Sequence, residues 1–178
     1  MVARHEAATD LGDRILKVDH AGEHGAVNIY RGQIFMARLT ARHLMDELKA
    51  FGAHEQRHRA IFAAELHRRD LPRCRSYLLC GMGGYALGLI TGLLGAGAIA
   101  ATTVAVERVV LRHLEHQFAV LRDSDPHAVA AISAIIVDEQ QHHDASARHL
   151  DGDAIWPRIL SPLVSASTEA VIWLGMRL

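Results

Sequence analysis

DEQQH, residues 138–142, decides how the chain is read, because it repeats the Glu-x-x-His spacing of HEQRH, residues 54–58. Taken alone, HEQRH spells His-Glu-x-x-His, the pattern in which two histidines one helical turn apart hold zinc while the glutamate activates water. A zinc peptidase built on His54, Glu55 and His58 is therefore the first reading to weigh. The second motif removes the leading histidine from the shared pattern, since Asp138 precedes Glu139. What remains common is a carboxylate and an imidazole three residues apart, on one helix face and within reach of one metal.

The repeat extends beyond the motifs. Glu23 precedes Glu55 by 32 residues and Glu107 precedes Glu139 by 32, so the two halves are offset by 84 throughout. Each lone glutamate sits in the helical pattern before the one carrying its motif, and antiparallel helices bring residues equidistant from the turn to one height. Two such hairpins packed face to face place four carboxylates and two imidazoles at one level of a bundle core. That is the donor set of ferritin-like di-iron and di-manganese proteins. Bare, the four carboxylates would repel one another and resist desolvation, whereas two divalent ions balance their charge. The candidate metal ligands and catalytic residues are Glu23, Glu55, His58, Glu107, Glu139 and His142. A zinc peptidase needs a third ligand downstream and leaves the equal spacings unexplained. Asp138 and Asp19 are candidates to orient ligand imidazoles, and His54, His116, His143 and His149 read as outlying residues.

Turn signals agree with two hairpins. Thr9 or Asp10 can cap a first helix, and a second, from about His43 to Arg69, carries Leu48, Phe51, Phe62 and Leu66 on one stripe before Asp70-Leu71-Pro72 stops it. Asp125 as cap and Pro126 at the first helical position start another, with Ile132, Ile135 and Ile136 in helical period, ended by Asp151-Gly152-Asp153. The offset of 84 maps the turn at 123–126 onto Leu39–Arg42, with Thr40 as the cap. Trp156-Pro157 leads into a last apolar helix, 157–178.

With 178 residues, 50% hydrophobic, 5% aromatic and four prolines, the chain is one all-α domain, 1–178. A net charge of -1 argues against nucleic-acid binding. Cys74 and Cys80 match no metal or redox spacing and are expected free. The opening MVARHEAATD carries no apolar leader. From Ser76 to Val106 no residue is charged, long enough to span a bilayer. One unbroken helix over 76–122 would extend about 70 Å, so a break near Gly92–Gly97 is expected; the apolar segment 76–98 then either lies in the membrane interface or spans it from about Leu78 to Ala98.

The ordered motifs VDHAGEHGAVNIYRGQ, HEQRH, GYALGLITGLLG, TTVAVE, DEQQHHD and the closing AVIWLGMRL resemble the demethoxyubiquinone hydroxylases of ubiquinone biosynthesis, from about Asp13 to the C-terminus. The resemblance implies a ferritin-like four-helix bundle with additional membrane-facing helices and two iron ions. Glu23 and Glu107 match the family's terminal ligands, Glu55 and Glu139 its bridging carboxylates, and His58 and His142 its nitrogen ligands. It further implies a polyprenyl quinol substrate, O2, an external electron donor such as NADH, and a peripheral place on the cytoplasmic face of a bacterial membrane. A lipid-presenting partner protein and a homo-oligomer are compatible with it. Two positions depart from the family pattern: His24 stands where a Tyr is expected, and His113-Leu114 where animal members place His-Tyr. Tyr30 is a candidate buried phenol. A di-iron quinol oxidase and a non-enzymatic ferritin-like iron-binding protein are the alternatives from neighbouring classes.

Overall fold

The computed structural model describes residues 2–150 and 155–178, and among these every regular element is helical. Helix α1 (Val2–Thr40) runs through Thr9 and Asp10, so neither caps it. The residues ahead of them include no Gly or Pro to stop a helix. A 3-10 turn (Arg42–Leu44) leads to α2 (Met45–Arg68). The reversal comes a few residues later than the symmetric midpoint, and Thr40 is not its cap. Its hydroxyl instead donates to the Gly92 carbonyl at 2.6 Å.

After α2, Asp70 adopts a positive φ of 55° ahead of Pro72, and the chain cannot continue helically. Helices α3 (Tyr77–Leu94) and α4 (Ala96–Leu121) are separated at Gly95, whose φ of 95° favours glycine. The expected break falls there. Asp125 caps α5 (Pro126–Ser133) by accepting from the Ala128 N–H at 3.0 Å. The single helix expected next is divided: α5 stops and α6 (Ile136–Ala147) begins after a tightened turn in which the Ile135 N–H reaches the Ile132 carbonyl at 3.3 Å. It ends at Ala147, before Asp151-Gly152-Asp153, the stop expected from the sequence, which lies outside the described residues. Helix α7 (Ile155–Gly175) holds Trp156 and Pro157 in its first turn, where a missing N–H costs nothing.

Helices α1, α2, α4 and α5–α6 form the four-helix bundle. Apolar side chains close it at both ends: Leu16, Phe62, Leu66, Leu121, Ile132 and Ile135 at one, Leu44, Leu48, Phe51 and Ile99 at the other. The polar layer lies between them. Arg69, just past α2, locks the two hairpins together through paired contacts of 2.7 Å to both Asp125 oxygens, with Asp13 at 2.8 Å and Glu65 at 2.6 Å. Glu55 lies 14 residues before Arg69 and Glu139 lies 14 after Asp125, so this clamp sets the register that levels the two motifs.

Helix α3 lies along α1, and α7 along α4. Glycine makes the first approach close: a Cβ on Gly32 would stand 2.6 Å from the Leu89 N and Tyr85 O atoms, and one on Gly88 would meet the Ile29 carbonyl. Packed through this narrow seam, α3 turns Leu78 (71% exposed) and Met82 (73%) outward. It is the one helix among the described residues long and apolar enough to cross a membrane.

Candidate metal centre

All six candidate residues converge in the polar layer, and all are buried. Ligand atoms of Glu23, Glu55, His58 and Glu139 lie within 4.8 Å of one another, and so do those of Glu55, Glu107, Glu139 and His142. The two groups share Glu55 and Glu139. One carboxylate and one imidazole are private to each: Glu23 with His58, Glu107 with His142. Each histidine turns Nδ1 inward. His58 Nδ1 stands 2.8 Å from Glu139 and 3.7 Å from Glu23, and His142 Nδ1 stands 3.1 Å from Glu55.

The outer nitrogens are held across the motifs. Asp138, immediately before Glu139, meets His58 Nε2 at 3.1 Å, and His54, immediately before Glu55, meets His142 Nε2 at 3.1 Å. A partner on one ring nitrogen fixes the tautomer and aims the other at a metal. Asp138 thus takes the orienting place expected of it. His54 joins from outside the cluster, which accounts for the first letter of HEQRH without zinc. Asp19 accepts instead from Gln117 at 2.9 Å.

Electrostatics separate the carboxylates. Burial, then the charges of Glu55 and Glu139, push Glu23 well above the ordinary range; burial with Glu139 and Glu55 does the same to Glu107. Glu55 is raised, chiefly by burial. Burial also opposes charge on Glu139, but contacts with His142 and His58 outweigh it and hold Glu139 at about 2. Against the same burial, Glu139 and Glu55 lift His142 to about 9. The protein alone therefore neutralises the layer with protons. Glu23 Oε2, Glu55 Oε1, Glu139 Oε2 and both inward Nδ1 atoms have no properly directed hydrogen-bond partner. Oxygen and imidazole donors in two overlapping groups, with four carboxylates to balance two divalent ions, fit a paired metal centre.

Around the centre, Tyr30 is buried with its hydroxyl 3.5 Å from Glu107, its ring edge-on to Phe51 and His142. His24 lies away from the cluster, stacked on Tyr77 at 4.0 Å. His143 and His149 pair with Asp144 and Glu47, and His116 is exposed. Cys74 and Cys80 are free and buried, as expected.

A cavity of about 400 Å³ reaches the centre between α1, α3, α4 and α7, touching Glu23, Glu55, Glu107 and Glu139. Its walls are mostly apolar, and Leu79, half exposed on α3, lines it toward the surface. His113 faces it with Nε2 held at 2.8 Å by Glu169. Glu169 was not anticipated, although it is the lone acid in an otherwise uncharged stretch, Leu160–Met176, and that isolation was a readable signal.

Comparisons with known proteins place the chain in a family. The family model for ubiquinone biosynthesis protein COQ7 matches residues 10–175. The chain belongs to the COQ7 family. The 3-demethoxyubiquinol 3-hydroxylase of Rhodospirillum rubrum is 34% identical over 94% of this chain and 78% of its own length. The mitochondrial NADPH-dependent 3-demethoxyubiquinone 3-hydroxylases of Dictyostelium discoideum and Homo sapiens are 30% and 32% identical, over 99% and 93% of this chain and 82% and 77% of their lengths.

Proposed function

We propose that this COQ7-family chain hydroxylates the ring of a demethoxyubiquinol in ubiquinone biosynthesis, at a pair of iron ions and with O2 as co-substrate. The observation that carries the reading is the cavity, whose apolar walls end on four buried glutamates. Glu55 and Glu139 belong to both ligand groups and would be shared by the two ions. Glu23 and Glu107 would be terminal ligands, His58 and His142 the nitrogen ligands, and the same six residues are the catalytic set. Bound as Fe(II), the pair would supply two electrons to O2. The protein's part is to exclude water, hold the imidazoles in one tautomer through Asp138 and His54, and keep the ring against the carboxylate layer. Reduced nicotinamide, the donor that the eukaryotic relatives' names specify, is the external source of electrons.

The whole chain forms one ferritin-like domain that lies on a membrane surface without crossing it. Leu78 and Met82 on α3 and Leu163 and Trp173 on α7 are exposed on the two helices that wall the cavity, so a polyprenyl tail passes from bilayer to centre without crossing water. In a bacterium that surface is the cytoplasmic face of the cell membrane. The testing experiment supplies iron-loaded protein with a demethoxyubiquinol, O2 and an electron donor. A ring carrying one new hydroxyl is the expected product. Oxygen consumed with only quinone formed would make the chain a quinol oxidase, and iron uptake indifferent to the quinol would make it an iron-handling protein.

A further inference from the structure

The seam between α1 and α3 carries charge of one sign only. From Leu71 to Val106 the chain has no acidic residue, and α1 has none between Glu23 and its end at Thr40. The charged side chains gathered there are arginines. Arg73 lies over the Tyr77 ring at 5.0 Å, Tyr77 stacks on His24 at 4.0 Å, and Arg59 reaches from α2 to within 3.4 Å of His24 Nδ1. Arg31 is exposed on α1 next to Gly32, the residue against which the Tyr85 and Leu89 backbone of α3 closes. Its charge reaches His24 together with those of Arg59 and Arg73.

Nothing on the protein answers these charges. Arg68, Arg69 and Arg112 each find a carboxylate, whereas among the described residues Arg31, Arg59 and Arg73 have none within ion-pair distance. After burial, Arg73 and Arg59 hold His20, the other ring stacked on Tyr77, down to about 4, the mark of positive charge left uncompensated. Guanidinium groups without a carboxylate suit a phosphate oxyanion. The position of the cluster indicates where that phosphate comes from. One residue after Tyr77, α3 turns Leu78 and then Met82 outward, so the arginines edge an exposed apolar face. Apolar side chains against acyl chains, an aromatic ring at the boundary and cations at headgroup level are the order of a bilayer interface.

We propose that Arg31, Arg59 and Arg73 form a binding site for the phosphates of anionic phospholipids, so that the protein docks preferentially on a negatively charged leaflet with α3 against it. The proposal rests on the reading that the chain lies on a membrane surface, and adds which lipids it selects and which residues select them.

The test is sedimentation of the full chain with vesicles of phosphatidylcholine alone and of phosphatidylcholine mixed with phosphatidylglycerol. A basic residue at an anionic surface contributes about fivefold, so the parent should bind the mixed vesicles roughly a hundredfold more tightly, and salt should weaken that preference. Arg31→Gln, Arg59→Gln and Arg73→Gln together should erase most of it while leaving phosphatidylcholine binding unchanged, and Arg73→Gln alone, at an exposed position, should lower it about fivefold. Lys49→Gln, Arg122→Gln and Arg148→Gln together remove the same charge from exposed positions on α2 and past the ends of α4 and α6, and should leave the preference standing. Glycerol phosphate should displace no more protein than chloride at equal ionic strength. Equal binding to the two vesicles, or equal losses in the two triple variants, would overturn the proposal while leaving the membrane reading intact. Displacement by glycerol phosphate beyond that by chloride would overturn the lipid assignment in favour of a soluble phosphate ester. Failure of the parent to bind either vesicle would overturn the membrane reading with it.

Discussion

Replacing Arg69 by Met should loosen the whole molecule through one side chain. Arg69 contacts Asp13 on α1, Glu65 on α2 and the Asp125 cap of α5, and its side chain and those of Glu65 and Asp125 are about nine-tenths buried. Methionine keeps the stem and deletes the charge, leaving carboxylates shielded from water without a partner. Breaking a buried ion pair from one side costs about 3–5 kcal/mol. For a domain of this size each kcal/mol moves the melting temperature by about 2–4 °C, so a fall of roughly 6–20 °C is expected by calorimetry or circular dichroism. Asp125→Asn keeps an oxygen for the Ala128 N–H, and adding it to Arg69→Met should cost less than the two single losses combined. The pH dependence has a definite sign. Glu65 and Asp125 are held below 4.5 and 3.8, Glu65 chiefly by Arg68 with Arg69, and Asp125 by Arg69 against its burial. Their contribution is present above those values and is lost as pH falls through the depressed folded ones. The parent should therefore lose more stability than Arg69→Met between neutral pH and about pH 3. A melting point within about 2 °C of the parent, or strict additivity of the two variants, would refute the reasoning.

Metal uptake should release protons, because burial and neighbouring carboxylates push Glu23 and Glu107 well above the ordinary range and Glu139 and Glu55 lift His142 to about 9, and each must be deprotonated to ligate. Affinity should then fall as pH falls, and titration calorimetry in buffers of different ionisation enthalpy counts the protons; uptake without release would contradict the arrangement. Gly32→Ala drives a methyl against the Leu89 and Tyr85 backbone at 2.6 Å, and should cost about 1–3 kcal/mol in thermal or denaturant unfolding. Leu78→Asp with Met82→Asp, both on exposed positions, should weaken sedimentation with phosphatidylcholine vesicles roughly tenfold or more while leaving the melting temperature within a few degrees. Unchanged vesicle binding would remove α3 from the membrane-facing surface.

The bundle was legible because its signals are periodic. Two Glu-x-x-His motifs at an offset of 84 named the six converging residues, and Asp125-Pro126 marked a helix start that the structure keeps. Helix ends lacking such marks were misplaced. No Gly or Pro announces the first hairpin, so α1 continues past Leu39, and nothing in Ala134-Ile135 foretells the division of α5 from α6. Long-range polar partners were hidden for a different reason. Arg69 with Asp125, Asp19 with Gln117 and His113 with Glu169 join residues 56 to 98 positions apart, and no local period encodes such pairings. Nor did the sequence reveal that His54 and Asp138 exchange partners across the hairpins, although their matching places before Glu55 and Glu139 were visible once the motifs were aligned.

The most direct measurement is the iron content of detergent-purified protein, taken together with the Glu139→Ala and His54→Ala variants. Near two irons in the parent, a clear loss in Glu139→Ala and retention in His54→Ala is the expected result, since Glu139 belongs to both ligand groups and His54 only supports His142. One zinc per chain that survives Glu139→Ala and disappears in His54→Ala would contradict the paired centre and return HEQRH to the peptidase reading.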